Sequence, residues 1–481
     1  MSDPELPADA EEAMPPGHPI DHGRLQRTVP LVALSARVAG EAVVAGLRSK
    51  LTGENSSEFH VRTAERYTEL LGRSKGALMK AGQMFSYAPV NPAVPAEFQA
   101  VYQTALARLR SEAPPMAPEL TRAVLERELD RPAHEAFAEF DWEPLAAASI
   151  GEVHRARLHD GREVAVKVQY PGVAQAIHAD LKNAELLSTF MNLLLGGMAS
   201  WRPSFDLNGA AQELSVRITE ELDYRLEAAN QTAFAAHYRG HPFIHVPEVI
   251  SELSTACVLT QELARGLSWS EAVNAGQELR DRWAEAIWRF NYGSYGRLKM
   301  FNADPHPGNY LLHEDGSVSF LDFGCVKRFS CEQIEVIDAI ARACFRGDVL
   351  GTWRVCVEAG FFNSSDPVTP DEVFAYLRGD WEMLSEERQF TLTPEYVARW
   401  IEHRFSPIGP SANAIRHFKL APEYTFAGRM ELVLWSVIAQ LHARNRWGAM
   451  AAEHLEGAAP RTAMGKREQE FFAERQAVRG A

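Results

Sequence analysis

The alternation of hydrophobic and polar positions divides the chain into a helical start, a β-rich middle and a long helical remainder. Residues 1–28 are acidic, proline-rich and without an apolar period, which is typical of a disordered tail. Residues 29–139 follow mainly a helical period that prolines interrupt after Tyr87, and a helix is predicted over 118–130. We therefore predict a helical N-terminal extension before the first strands.

Runs of β-type residues begin after position 140 and return twice further along the chain. The first two runs flank Asp160-Gly161 and the last two flank 314–317, and both arrangements predict β-hairpins. Regions 172–239 and 269–300 are predicted to be helical, as is most of the chain after the last run. The predicted strands cover 153–158, 163–169, 256–262, 309–313 and 318–321. A β-rich portion followed by a mainly helical one indicates an α+β, bilobal plan.

Composition and charge narrow the class of function. The 481 residues are 46% hydrophobic and 23% charged, which is ordinary for a globular protein with a buried core. The formal net charge of −15 argues against a nucleic-acid-binding protein that works through a basic face. The five cysteines form no C-x-x-C pair and no secretory signal follows Met1, which predicts a reducing, cytoplasmic location.

One apolar stretch is relevant to the question of membrane binding. Residues 29–47 come nearest to a membrane span, but Arg37 and Glu41 lie inside this stretch, so no spanning helix is predicted. Basic residues flank it on both sides. We favour an amphipathic helix packed on its own protein. The alternative is a helix that lies on an anionic membrane surface and makes the protein peripheral to a membrane.

A lysine stands in the strand-like run Val164-Ala165-Val166-Lys167. Alternation along a strand turns the valines to one face and Lys167 to the other. A lysine in an apolar strand must reach an anion or a carboxylate, unless the strand lies at an edge and the side chain points to water. Taken alone, the run favours the edge-strand interpretation. A Val-Ala-x-Lys strand is also the place where a kinase carries its ATP-site lysine.

An alanine-rich stretch precedes this lysine. Gly151-Glu152-Val153 ends 14 residues before Lys167, about where the end of a kinase glycine-rich loop falls. The first glycines of such a loop are replaced by the alanines at 146–148. Because alanine does not reach positive φ without strain, we predict a loop that is more helical and more fixed than a glycine loop.

Two motifs carry the most specific signal. Asn302-Ala-Asp304-Pro-His-Pro-Gly-Asn309 has the D-x-x-x-x-N spacing of a kinase catalytic loop, and Asp322-Phe-Gly324 follows the second predicted hairpin. In that arrangement Asp322 and Asn309 hold Mg²⁺, and Asp304 orients the attacking hydroxyl or water. The alternative is a turn rich in Asp, Pro and Gly beside an accidental Asp-Phe-Gly. The order of the two motifs and the hairpin between them argue against it.

An acidic helix offers a carboxylate partner for Lys167. Glu221, Asp223 and Glu227 lie within two helical turns, so the three need not face the same partner. A kinase-like lysine is paired by a carboxylate from a helix, and one of these three is expected to do so. The alternative interpretation is a solvated acidic face of the helix.

With these motifs in place, the chain resembles the UbiB-type atypical kinases, also called the AarF family, which are linked to ubiquinone biosynthesis and lipid homeostasis. The resemblance covers residues 74–329. It includes a feature that ordinary kinases lack, since Leu78-Met-Lys80-Ala-Gly-Gln83 matches the K-x-G-Q motif of the family. Residues 144–153 look like its alanine-rich loop, 221–223 like its E-x-D motif and 301–309 like its D-P-H-P-G-N catalytic loop.

The resemblance implies a bilobal protein-kinase-like fold with ATP and Mg²⁺ as cofactors. It implies that Lys167 pairs with Glu227 and contacts the α- and β-phosphates, and that Lys80 reaches Glu221 across the mouth of the site. The implied catalytic residues are Asp304, Lys167, Glu227, Lys80, Gln83, Glu221 and Asp223, with Asn309 and Asp322 as the metal ligands. The implied nucleotide contacts are Ala146, Ala147, Ala148, Ser149, Gly151, Val153, Lys167 and Glu262.

The resemblance also implies a division of the chain into domains. After the tail, residues 29–139 form the helical extension that carries the K-x-G-Q motif. Residues 140–264 form a kinase-like N-lobe with the alanine-rich loop. Residues 265–481 form a helix-rich C-lobe with the catalytic loop and Asp-Phe-Gly.

The segment after Asp-Phe-Gly bears on the substrate. No Ala-Pro-Glu follows Asp322, and Val326-Lys-Arg-Phe329 runs almost directly into a helix predicted over 331–345, so no docking platform for a protein substrate is expected. We predict a Mg²⁺-dependent ATPase or small-molecule kinase of an isoprenoid-quinone or lipid pathway. Its expected partners are a nucleotide, a lipid or isoprenoid-quinone precursor and a membrane surface, but not a nucleic acid. Two alternatives stay open: a nucleotide-binding scaffold with negligible turnover, and a small-molecule phosphotransferase related to the aminoglycoside kinases.

Overall fold

The structure is a computed structural model that describes residues 115–181 and 207–480, apart from short gaps between 380 and 423. The predicted tail, the stretch 29–47 and the K-x-G-Q motif with Lys80 and Gln83 lie outside the described residues. Within the described residues the chain mixes helices with sheets, as the α+β prediction requires.

A five-stranded sheet carries the first candidate residues. Its strands are β1 (Glu139–Phe140), β2 (Ala146–Ala147), β3 (Gly151–Arg157), β4 (Glu163–Gln169) and β6 (Val258–Glu262). The order is β1-β3-β4-β6, and β2 also pairs with β3. The first predicted hairpin is confirmed, because β3 and β4 pair antiparallel along their whole length. Its turn places Gly161 at a φ of 88°, a conformation that glycine adopts without strain.

The predicted helical character of the alanine-rich loop is wrong. Ala146 and Ala147 are extended and pair with Val153 and Glu152 of β3. Alanine is unstrained in this conformation, and the ladder of β3 supplies partners for its backbone groups, so strand pairing overrides the local preference. Gly151 at the start of β3 serves close packing, because a Cβ there would lie 2.1 Å from the carbonyl oxygen of Val168.

One face of the sheet is closed by two helices, α1 (Pro118–Leu129) and α2 (Ala133–Ala136). Val164, Val166 and Val168 pack with them in one hydrophobic cluster. This confirms the predicted alternation and turns Lys167 to the opposite face. Burying a valine side chain contributes about 1.5–3 kcal/mol, so a one-residue slip of β4 would lose the burial of three valines. The core thus fixes the direction in which Lys167 points.

In the described residues of the region 172–239, which the sequence predicts as helical, lie α3 (Val173–Leu181), α4 (Leu207–Glu220) and α5 (Tyr224–Tyr238). The break before α5 is a helix cap. The Asp223 carboxylate accepts a hydrogen bond from the Arg225 N–H at 3.0 Å, which satisfies a free backbone donor of the first turn. The cap places Glu227 in that first turn.

The second group of candidate residues lies in loops between short strands. Helices α6 (Trp269–Ala272) and α7 (Gln277–Leu298) lead into them, and the strands are β5 (Ile244–His245), β7 (Met300–Asn302), β8 (Tyr310–Leu312), β9 (Val318–Phe320) and β10 (Val326–Arg328). Strands β8 and β9 form the second predicted hairpin, which is confirmed. Strand β9 also pairs parallel with β5, and β7 pairs antiparallel with β10. The catalytic-loop motif thus joins β7 to β8, and Asp-Phe-Gly joins β9 to β10.

Helices dominate the rest of the chain. A Ser330–Gln333 capping box starts α8 directly after β10, as predicted. The later elements are α8 (Cys331–Arg346), α9 (Val349–Glu358), α10 (Pro370–Arg378), α11 (Glu382–Ser385), β11 (Phe390–Thr391), α12 (Pro394–Phe405), α13 (Ala412–His417), α14 (Thr425–Ala439), β12 (Arg444–Asn445), α15 (Trp447–Glu456) and α16 (Ala463–Gly480). Within the part of the chain that the structure describes, no helix has the length and apolar character that crossing a membrane requires.

Candidate active site

One row of side chains crosses the five-stranded sheet on the face opposite the packed valines. Ala146, Val153, Lys167 and Leu259 are direct cross-strand partners on β2, β3, β4 and β6. Directly opposed residues on paired strands share a face. Ala146 and Val153 therefore line the same surface as Lys167.

Lys167 is the centre of a cluster formed by distant parts of the chain. Its Nζ donates to both carboxylate oxygens of Glu227, at 3.0 and 2.9 Å, and to Oδ2 of Asp322 at 3.3 Å. The ring of Tyr224 lies 5.0 Å from the same nitrogen, within the range of a cation–π contact. The side chains of Lys167, Glu227 and Asp322 are 15%, 4% and 32% exposed, so the cluster opens towards solvent on the Asp322 side.

The charges in this cluster do not balance. Burial opposes the charge on Lys167, but Asp322 and Glu227 outweigh it and raise the pKa of Lys167 well above its ordinary value. Burial raises the pKa of Glu227 to about 7, with Lys167 opposing and Asp322 and Glu221 adding to the shift. One lysine thus faces several carboxylates, and the cluster has an excess of negative charge.

Asn302, at the end of β7, joins the two motifs. Its side-chain nitrogen donates to the carbonyl oxygen of Asp322 at 2.8 Å, and its side-chain oxygen accepts from the backbone N–H of Asp304 at 3.1 Å. The residue is only 3% exposed. A buried amide with both ends bonded has one stable orientation, so Asn302 fixes the position of Asp304 relative to Asp322.

Asn309 closes the other end of the catalytic loop. Its side-chain nitrogen donates to the carbonyl oxygen of Asp304 at 3.1 Å. Its own carbonyl oxygen accepts from the backbone N–H of Leu321 at 3.0 Å, which places Asn309 beside the residue that precedes Asp322. The two predicted metal ligands therefore belong to adjacent parts of the backbone.

Gly324 brings Glu221 into the neighbourhood. The Gly324 N–H donates to Oδ1 of Asp322 at 2.9 Å. A Cβ at Gly324 would lie 3.3 Å from this Asp322 oxygen, 3.5 Å from Oε2 of Glu227 and 3.7 Å from Cγ of Glu221. Asp-Phe-Gly thus lies close to the two glutamates, and a side chain at position 324 would press on the Asp322 carboxylate.

Helix α5 also contacts the segment around Phe323. Asn230, one turn after Glu227, donates to the carbonyl oxygen of Phe323 at 3.1 Å and accepts from Arg328 at 2.8 Å. The ring of Phe234 lies 4.9 Å from that of Phe323. The helix that carries Glu227 therefore holds Asp-Phe-Gly by a polar and an apolar contact.

Some predicted site residues are not brought to this cluster. Asp223 caps α5 and pairs with Arg225, so it acts on the helix rather than on Lys167. The Glu262 side chain shares the face of Val164, its direct partner, and lies 3.6 Å from His245. The predicted contact between Lys80 and Glu221 involves a residue outside the described range.

The sequence interpretation missed three residues of the site: Tyr224, Asn230 and Asn302. Asn302 and Tyr224 are buried, and Asn230 bonds two partners about 90 to 100 residues further along the chain. The positions of Tyr224 and Asn230 on the same helix as Glu227 were a usable signal, since residues three to four apart share a helix face. Asn302 stands in the catalytic-loop motif itself, two residues before Asp304, but the sequence interpretation assigned it no role.

Comparison with known proteins identifies the family. The family model described as the ABC1 atypical kinase-like domain matches residues 108–354, which include every described candidate residue. The chain is 35% identical over 298 residues to the rat mitochondrial protein named atypical kinase COQ8B, covering 60% of this chain and 54% of that protein. It is 33% identical over 239 residues to the chloroplastic ACTIVITY OF BC1 COMPLEX KINASE 8 of Arabidopsis thaliana, covering 48% of this chain and 30% of that protein.

A solved structure matches a larger share of this chain than these two relatives do. The chain matches the complex of Rv3197 with erythromycin from Mycobacterium tuberculosis at 30% identity and a TM-score of 0.58, over 86% of this chain and 98% of that one. By contrast, the alignments span about half or less of the length of the COQ8B and BC1-complex relatives. The family model, the relatives and the kinase-like fold agree: the chain belongs to the ABC1 atypical kinase family, also called UbiB or AarF, which is linked to ubiquinone biosynthesis.

Proposed function

We propose that this protein is a bilobal, Mg²⁺-dependent atypical kinase or ATPase that binds ATP beside Lys167. The N-lobe would comprise residues 140–264 and the C-lobe residues 265–481, with 29–139 as a helical extension. The observation that carries the proposal is the contact of Lys167 with both Glu227 and Asp322. A lysine paired by a helix carboxylate beside a metal-binding Asp is the arrangement that phosphoryl transfer uses in kinases.

The residues present fit a magnesium ion. Among the described residues, no group of three or more His, Cys, Asp and Glu side chains could hold a metal. Mg²⁺, however, is commonly bound by one or two protein oxygens together with phosphate and water. Asp322 would provide a carboxylate and Asn309 an amide oxygen, and the excess negative charge around Lys167 favours a cation here. When bound, the ion would neutralise charge on the phosphates of the nucleotide.

The residues present also fit a nucleotide. The half-buried Val153 and Ala146 of β2 form an apolar surface in the same cross-strand row as Lys167, and a base needs such a surface. Lys167 would hold the α- and β-phosphates as a point charge, and Glu227 would keep its Nζ in place. Of the predicted contacts, Ser149 lies in the tight turn between β2 and β3, and Gly151 is the first residue of β3.

Asp304 is the residue that we assign to the acceptor. It would accept the proton of the attacking hydroxyl or water, which a carboxylate in hydrogen-bond reach can do. Asn302 and Asn309 hold its backbone at the N–H and at the carbonyl oxygen. Such support from both sides keeps a catalytic group in one geometry.

The acceptor is proposed to be a small molecule or lipid rather than a protein. Strand β10 ends at Arg328 and α8 begins at Cys331, so only two residues separate them. A segment this short leaves no platform on which a peptide could dock. The link of the family to ubiquinone biosynthesis supports an isoprenoid-quinone or lipid precursor, handled by an enzyme that is peripheral to a membrane.

A second candidate function is macrolide binding. The Mycobacterium tuberculosis protein described above, which this chain matches over 98% of that chain, was solved with erythromycin. In this chain a cleft of about 520 Å³ lies between α7, α15 and α16. Its lining combines aromatic side chains such as Trp288, Tyr292 and Phe472 with charged ones such as Arg297 and Glu453. Titration calorimetry with erythromycin tests this candidate, and an absence of heat at saturating concentration would reject it.

The test of the main proposal is phosphate release from Mg·ATP by the purified protein, with and without vesicles of anionic lipid. Turnover that rises with lipid and is lost in Asp304→Asn would support an ATPase or kinase that works at membranes. ATP binding without turnover would favour the nucleotide-binding scaffold. Absence of ATP binding, measured with Mg²⁺ present, would contradict the proposal.

A further inference from the structure

The last helix, α16, touches both helices that lead into the candidate active site. On one side it contacts the C-terminal end of α5, the helix that carries Glu227. On the other side it contacts α7, which leads directly into β7 and the catalytic loop. The proposed ATP site contains no residue of α16.

Arg475 of α16 caps the C-terminal end of α5. Its guanidinium donates to the carbonyl oxygens of His237 at 2.5 Å, Ala236 at 3.1 Å and Arg239 at 3.5 Å. The last carbonyls of a helix have no partner within the helix and form the negative end of its dipole. A planar cation with several donors is suited to satisfy them together.

Aromatic side chains of α16 support this cap. The ring of Phe472 lies 5.1 Å from that of His237, and the ring of Phe471 lies 4.8 Å from that of His241. Arg297 of α7 lies 4.0 Å above the Phe472 ring, which ties the same aromatic side chain to α7. The end of α5 is thus held by apolar contacts as well as by Arg475.

A buried ion cluster anchors α16 to α7. Arg289 donates to Glu468 of α16 at 2.9 Å, and Arg297 donates to the other oxygen of Glu468 at 3.2 Å. Gly465 permits this approach, because a Cβ there would lie 2.4 Å from the Arg289 guanidinium. Helix α16 is therefore fixed on α7, and Arg475 acts on α5 from a fixed base.

We propose that Arg475 is a positioning residue for the Lys167–Glu227 pair and, through it, for the nucleotide. The inference rests on the nucleotide-binding function proposed above. Glu227 and His237 are ten residues apart on one helix, or roughly 15 Å at 1.5 Å per residue. A straight helix transmits a shift of its last turn to its first. Releasing the cap would loosen the rotation and the axial position of α5, and with them the distance from Glu227 to Lys167.

The experiment compares the affinity for a non-hydrolysable Mg·ATP analogue in the full chain and in Arg475→Ala, by titration calorimetry. We expect Arg475→Ala to weaken binding three- to tenfold. Arg475→Lys keeps the charge but not the planar fork, and is expected to fall between the two. The matched control is Lys466→Ala, which removes a positive charge from an exposed position of the same helix and should leave the affinity unchanged.

A double-mutant cycle separates positioning from a general loss of stability. In a Glu227→Gln background, Arg475→Ala should have no further effect on affinity, because the pair through which it acts is already altered. An equal loss in both backgrounds would overturn the inference, as would an Arg475→Ala variant with the parent's affinity. If Arg475→Ala does not fold, the same cycle is run with Arg475→Lys. Failure of the unmodified protein to bind the analogue would instead contradict the proposed function itself.

Discussion

Two buried ion clusters among the described residues, one around Lys167 and one around Arg289, differ in how far they open to solvent. Around Lys167, one ammonium faces Glu227 and Asp322, and Asp322 is 32% exposed. Around Arg289, the guanidinium donates to Glu285, Glu453, Glu468 and Thr462, and the three glutamates are 11% exposed or less. The first cluster opens to solvent on the Asp322 side, whereas the second is closed, and its guanidinium has a partner on every nitrogen.

The difference shows that buried charge alone does not mark a functional site. A planar guanidinium can satisfy several carboxylates at once, and a cluster of this kind holds helices together. A lysine is a point charge that leaves carboxylate capacity for another cation. The comparison therefore predicts opposite consequences of substitution: loss of folding stability at Arg289, and loss of ligand binding at Asp322.

The largest effect on stability is expected for Arg289→Met. The substitution leaves three buried glutamates without their central cation, and breaking a buried pair in this way costs about 3–5 kcal/mol. Urea unfolding followed by circular dichroism measures the loss. The matched control is Arg346→Met, because the Arg346–Glu456 pair is exposed, with side chains 61% and 30% accessible, and is worth about 0–1 kcal/mol. Equal losses of stability in the two variants would contradict the expectation that the buried Arg289 cluster stabilises the fold more than the exposed Arg346–Glu456 pair does.

For Asp322→Asn we expect weaker ligand binding with little loss of folding stability. Removing the charge of the proposed metal ligand should weaken Mg·ATP binding about 100-fold, the equivalent of one charge-assisted contact of about 3 kcal/mol. The free energy of unfolding should change little, because Asn keeps the shape of the side chain. Asp315→Asn in the turn of the β8–β9 hairpin is the control, since its carboxylate bonds only the nearby Ser317. Unchanged Mg·ATP affinity in Asp322→Asn would remove Asp322 from the metal site.

The first of these clusters was largely predictable from the sequence, and the second was not. Lys167 and Asp322 stand in short motifs beside hairpins, and a hairpin is specified by local residues such as Asp160-Gly161. The direction of Lys167 follows from alternation with three valines. Arg289 and Glu468, in contrast, are 179 residues apart and lie in no motif. Only the packing of α7 against α16 brings them together, and periodicity does not reveal which helices pack.

Contacts between residues distant in sequence also explain why the predictions for the alanine-rich loop and for Asn302 were incomplete. The alanine-rich loop was expected to be helical because alanine disfavours positive φ, yet pairing with β3 decides its conformation. Asn302 escaped notice because its two partners, Asp304 and Asp322, become neighbours only when β7 and β10 pair. Local preferences predicted the elements, and contacts distant in sequence decided how the site is held.

A smaller effect, on pH dependence, is expected beside the closed cluster. The side chain of His241 is fully buried, with Glu468 at 3.9 Å and with Arg297, His237, Arg289 and Arg467 nearby. Burial, reinforced by these cations, lowers the pKa of His241 to about 3.

The sign of that effect follows from proton linkage. The unfolded chain takes up a proton near pH 6.5 and the folded chain only near pH 3, so stability is fully present above pH 6.5 and is lost as the pH falls. At pH 5 the loss from His241 is about 2 kcal/mol. The variant His241→Gln should show a shallower fall between pH 7 and pH 5 in urea titrations. An identical slope would assign the acid sensitivity to other groups.

The smallest effect is expected at Asn302. It tests whether turnover depends on the position of Asp304 relative to Asp322 as well as on the charges around Lys167. Asn302→Ala removes the bridge between Asp304 and Asp322 but no charged group, so the affinity for Mg·ATP should persist. Turnover should fall about tenfold, which corresponds to about 1.4 kcal/mol in the activation barrier. The matched control is Asn291→Ala, because Asn291 is equally buried and bonds only the carbonyl oxygen of Ile287 on its own helix. If both variants lose the same share of turnover, Asn302 supports the fold and not the reaction. A loss confined to Asn302→Ala would mean that the reaction depends on the position of Asp304 as well as on the charges gathered around Lys167.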